Sequence, residues 1–80
     1  MNTTTVNQAR DIVKKSIIDV LEIEEINNND DFFNVGGCSL TALDVIEKIN
    51  EQTGKKIPLR EFLSDPTPDA LAEILCDMKQ

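Results

Sequence analysis

Histidine, tryptophan and tyrosine are all absent from these 80 residues, and three phenylalanines make up the aromatic content. Without an imidazole, a Ser or Cys nucleophile lacks its usual general base and a metal site its usual nitrogen ligand. Cysteine is scarce too: Cys38 and Cys76 stand too far apart for a CxxC redox or zinc-knuckle spacing and are too few for a disulfide framework, so they read as free thiols. Nothing approaches the roughly 20 apolar residues of a membrane span, and Met1 leads into polar residues rather than a signal sequence. Positive charge is also in short supply. Eight basic against 15 acidic residues leave a net charge of -7, which repels a nucleic-acid backbone or an anionic membrane and favours basic protein surfaces. These absences point to a cytoplasmic protein with no catalytic residue of its own, no metal, no nucleic acid and no membrane partner.

What is present is helical. A hydrophobic content of 40% argues for a folded chain. Its length gives one domain, residues 1–80, in which folding buries only about 60% of the unfolded surface. In "QARDIVKKSIIDVL", Ala9, Ile12, Val13, Ile17, Val20 and Leu21 share one face at the helical period, with Thr5 and Gln8 spaced as a capping box and the helix fading near Glu22 to Glu25. A second helix runs from Ser39 to about Gln52 on a stripe of Ala42, Val45, Ile46 and Ile49. Gly54 is suited to its C-terminal cap, and Lys55 and Lys56 stand where the dipole favours cations. "PLREFL" forms a short third helix. In "PTPDALAEILCDM", Thr67 is the N-cap, Pro68 the first helical residue, and Leu71, Ile74, Leu75 and Met78 the buried stripe. With no strand signal and no repeat, the fold class is all-α: a small bundle of three longer helices and a short one, expected to be monomeric.

Between the first two helices, "INNNDDFFNVGG" is a turn-rich loop in which Phe32 or Phe33 must anchor on the core. It delivers the chain to Ser39, which invites three readings. The plainest is an N-cap accepting a backbone N–H. A phosphate on its hydroxyl would equally be favoured there by the free N–H groups and the positive end of the helix dipole. A hydrolase nucleophile is excluded, because "GGCSL" lacks the second glycine of G-x-S-x-G, follows no strand, and has no histidine to serve it. The loop carboxylates fit no EF-hand register, and "GKK" lacks the remainder of a phosphate-binding loop.

Taken together, "DDFFNVGGCSLTALDVI" and "IPLREFLSDPTPDALAEIL" resemble a peptidyl carrier protein, or thiolation domain, of non-ribosomal peptide synthesis, within the wider acyl-carrier superfamily. The resemblance covers nearly the whole chain. It rests on the aromatic pair Phe32-Phe33, a dipeptide, then Gly36, Gly37, Cys38, Ser39 and Leu40, and on the "PTP" that opens the last helix. It implies a four-helix acyl-carrier fold. It also implies that Ser39 is the attachment point of 4'-phosphopantetheine, transferred from coenzyme A by a phosphopantetheinyl transferase. The arm's thiol would hold an aminoacyl or peptidyl group as a thioester, presented to an adenylating enzyme and then to condensation, tailoring or thioesterase enzymes. Similar carriers usually have His or Asp before the modified serine, where this chain has Cys38. Leu40 and Leu43 near Ser39, with Leu59, Phe62 and Leu63 of the short helix, are the candidate partner contacts. Two alternatives compete: an acyl carrier protein of fatty acid or polyketide synthesis, which typically shows Asp-Ser-Leu and a more acidic second helix, and an unmodified helical interaction module whose Ser39 is a cap alone.

Overall fold

The structure is a computed structural model that describes residues 6–77. Its elements are α1 (Val6–Leu21), α2 (Ser39–Thr53), α3 (Leu59–Ser64) and α4 (Pro68–Asp77). The described residues form no strand. The expected Thr5 cap and the place of Met78 lie outside the described residues.

The stripe of α2 is buried as its period requires: Ala42, Val45, Ile46 and Ile49 all face the core. From α1 come Ala9, Val13 and Ile17, from α4 Leu71, Ala72 and Leu75, and from the connecting segments Ile26, Phe32 and Ile57. Ile12, Val20 and Leu21 of α1 and Ile74 of α4 are only half-buried and pack around this centre. α1 packs against both α4 and α2, and α3 packs against α2. Ser16 accepts a hydrogen bond from Gln52 Nε2 at 3.2 Å, and Lys48 pairs with Asp19 at 3.1 Å. Numbers rise along α1 while they fall along α2, so the two helices are antiparallel.

The helix ends are closed by local chemistry. At the end of α1, Glu22 adopts the left-handed conformation (φ 57°), and Ile23 N–H bonds back to the Ile18 carbonyl at 3.3 Å, as in a Schellman turn. Gly54 caps α2 at φ 72° and donates to the Asn50 carbonyl at 2.8 Å. Lys55 serves a different helix from the one it follows. Its Nζ donates to the Leu75 carbonyl at 2.7 Å, at the end of α4, where exposed carbonyls attract a cation.

α4 begins as its sequence signature states. Thr67 Oγ1 accepts from the Ala70 N–H at 3.2 Å, and Pro68 is the buried first residue. Asp69 in the first turn bonds Arg10 Nε of α1 at 2.6 Å, and its N–H donates to the Asn28 carbonyl of the long loop at 2.9 Å. The start of α4 is thereby tied to both α1 and the loop.

Candidate functional site

The loop that precedes α2 is ordered around one ring. Phe32 is wholly buried, its N–H donates to the Pro66 carbonyl at 2.8 Å, and its ring meets Phe62 of α3 edge-on at 5.3 Å. Phe33 crosses the same ring at 5.3 Å but keeps 37% of its surface in solvent, so of the aromatic pair only Phe32 is the anchor. The Asp31 carboxylate accepts the Phe33 N–H at 2.8 Å, and its carbonyl accepts the N–H groups of Asn34 and Val35, closing a tight turn.

The two glycines have different reasons to be there. Gly36 sits at φ 111° with open space around it, so its requirement is conformational. At Gly37 the requirement is proximity: an added Cβ would lie 2.5 Å from Cδ2 and Cζ of the Phe32 ring, and closer still to Cε2. Gly37 N–H also donates to the Phe32 carbonyl at 3.0 Å.

This turn delivers the chain to the start of α2, where the N-cap is Cys38 and not Ser39. Cys38 N–H donates to Thr41 Oγ1 at 2.8 Å, and the sulfur faces the Thr41 N–H in the reciprocal place of a capping box. Sulfur is a weak acceptor, and it forms no short cap bond of the kind an oxygen makes. The N–H groups directed at it still favour its charged form. They lower the pKa of the exposed Cys38 thiol from its ordinary value, chiefly through the Thr41 backbone, then the Thr41 hydroxyl and the Leu40 backbone. Thr41 escaped the sequence reading, although its place three residues after the cap was a usable signal.

With Cys38 in the capping place, Ser39 becomes the first residue of the helix proper and is exposed. Its hydroxyl forms no hydrogen bond among the described residues, and the first turn of α2 contains no acidic side chain. A negatively charged group on that oxygen would meet the positive end of the helix and no carboxylate within the turn. Thus the residues present fit a phosphate ester.

Four leucines of α2 and α3 are exposed. Leu40 is 75% exposed and Leu43 49% exposed on α2, and Leu59 and Leu63 on neighbouring α3 are each about two-fifths exposed. Phe62, counted among the partner contacts on sequence, is not one of them: it is fully buried against Phe32. In a helix of only six residues the wheel leaves the inward edge undetermined, and the Phe32 ring decides it. No group of His, Cys, Asp or Glu among the described residues is placed to hold a metal ion.

Residues 11–75 match the family described as "Phosphopantetheine attachment site". The chain belongs to this family and has the acyl-carrier fold of the peptidyl carrier proteins; the group such domains bear is 4'-phosphopantetheine. It is 46% identical over 55 residues to surfactin synthase subunit 1 of Bacillus subtilis (strain 168), a match that spans 69% of this chain and 2% of that protein. With gramicidin S synthase 2 of Brevibacillus brevis it shares 37% over 57 residues, 71% of this chain and 1% of the other. The chain thus spans only a small fraction of the length of these relatives. The fold superposes with a TM-score of 0.87 on a chain from the structure of the phosphopantetheine transferase Sfp in complex with coenzyme A and a peptidyl carrier protein. That match is at 25% identity and covers 96% of this chain and all of the other. A solution structure described as a prototype for the peptidyl carrier domains of modular peptide synthetases gives a TM-score of 0.76 at 28% identity, covering 84% and 88% of the two chains.

Proposed function

We propose that the protein is a peptidyl carrier whose Ser39 hydroxyl is the attachment point of 4'-phosphopantetheine. The observation that carries this reading is the exposed, unbonded Ser39 at the first position of α2, directly after the Gly36-Gly37 turn, in a chain of the attachment-site family. When attached, the arm supplies a terminal thiol able to hold an aminoacyl or peptidyl group as a thioester.

The chain's own residues have simpler tasks. Ser39 supplies the oxygen of the phosphodiester, the start of α2 stabilises the phosphate charge, and the Cys38–Thr41 cap holds the first turn in register. Leu40, Leu43, Leu59 and Leu63 offer apolar contact to partners in turn: a phosphopantetheinyl transferase, an adenylating enzyme, and condensation, tailoring or thioesterase enzymes. Acidic residues Asp44 and Glu47 on α2 steer basic surfaces towards it. We read the domain as a carrier that is not itself an enzyme and that works in the cytoplasm beside its partners.

The test is intact mass before and after incubation with coenzyme A, magnesium and a broad-specificity phosphopantetheinyl transferase. We expect a gain of one phosphopantetheine unit, lost in Ser39→Ala. No gain on folded protein with several transferases would leave Ser39 without this role.

A further inference from the structure

We infer that Phe32 is a positioning residue for Ser39, seating the serine in a fixed relation to the exposed face of α3. The inference rests on Ser39 being the attachment point.

Contacts from several parts of the fold converge on Phe32. Its N–H is held by the carbonyl of Pro66, its ring edge by Phe62 of α3, its carbonyl by the Gly37 N–H, and its ring face by the backbone of Gly37. Only Cys38 separates Gly37 from Ser39. The α2 stripe of Ala42, Val45, Ile46 and Ile49 sets the axis of the helix. It does not set where the chain enters that helix, and Phe32 does.

Gly37 supports this reading through what it does not need. Its φ lies outside the left-handed range, so its backbone would accept alanine, and only the Phe32 ring forbids a Cβ. A residue whose sole task was to fill the core would not require the strand of loop leading to the serine to lie flat against it. The same ring touches Phe62, whose helix carries Leu59 and Leu63. The serine and those two leucines are consequently fixed on one rigid unit. A partner that must engage both at once reads their spacing, and displacement of a reacting group by about 1 Å can cost on the order of a hundredfold in rate.

The experiment compares Phe32→Leu with Leu75→Val, a core substitution on α4 beside Lys55 and the C-terminal end of α2, far from Ser39 along that helix. Both are assayed at equal folded fraction, fixed by chemical denaturation, for kcat and KM of phosphopantetheine transfer and for the backbone amide NMR signals of Ser39, Leu59 and Leu63. We expect kcat/KM of Phe32→Leu to fall about tenfold or more below that of Leu75→Val, with the three signals displaced only in Phe32→Leu. Equal rates in the two folded variants overturn the inference. If the wild type is not modified at all, the attachment reading fails and the NMR comparison decides alone: unmoved signals overturn the positioning role, displaced ones sustain it. Should Phe32→Leu not fold, Gly37→Ala approaches the same contact from the other side and takes its place in the comparison. In the double variant the smaller side chain makes room for the Cβ, so the two losses are less than additive; strict additivity overturns the contact.

Discussion

Two helix starts in this small protein are built in opposite ways. At α4 the cap is an oxygen, Thr67 Oγ1 at 3.2 Å from the Ala70 N–H. The first residue there is a buried proline, and Asp69 places a carboxylate in the first turn with Arg10 bound to it. At α2 the cap is a sulfur, the first residue is an exposed serine, and the first turn contains no acid. A helix start attracts negative charge and asks for acceptors. α4 answers from within the chain, whereas α2 leaves the answer to something added later. The difference separates a joint that holds the bundle together from one that is kept open.

The comparison is broken most sharply by Ser39→Ala. Phosphopantetheine incorporation should vanish by intact mass, while stability in denaturant stays within about 0.5 kcal/mol, because the hydroxyl is exposed and unbonded. A large loss of stability would make α2 a joint of the same kind as α4. Thr67→Ala should do the reverse. About 1 kcal/mol is lost as the Ala70 N–H goes uncapped, and the folded protein is modified at the wild-type rate.

How much of this contrast was legible in the sequence depends on how local its cause is. Thr67 and Pro68 announced the start of α4, since the signature is read from adjacent residues, and the α2 stripe followed from its period. Cys38 as the cap was not legible, because sulfur is a poor acceptor and Ser39 beside it is the better-known capping residue. Phe62 was misplaced for a non-local reason: Leu59, Phe62 and Leu63 fall within about 100° of one another on a helical wheel, and only the distant Phe32 chooses which of them turns inward. The requirement at Gly37 is equally non-local, since the ring that an added Cβ would strike is brought there by the fold.

Smaller effects sharpen the contrast. Arg10→Met removes the charge that secures Asp69, and since the two side chains are 25% and 46% exposed the cost should be about 0.5 kcal/mol, shrinking as salt is added. The mildest effect concerns Cys38. Because its pKa is lowered, more thiolate is present at a given pH than for an ordinary thiol. The midpoint of its alkylation rate against pH should therefore fall below the ordinary cysteine value. Thr41→Val should move that midpoint back up only in part, as the backbone N–H groups that contribute most remain in place. An unmoved midpoint would mean that the Thr41 hydroxyl does not act on the sulfur.

The clustering of aromatic rings at Phe32, Phe33 and Phe62 has an optical consequence. These are the chain's three phenylalanines, and it has no tryptophan or tyrosine. Every aromatic circular-dichroism band of the protein therefore originates at the junction of the loop with α3. The junction that leads to Ser39 can thus be watched in the isolated protein, without a label, through its own near-ultraviolet bands as the chain unfolds.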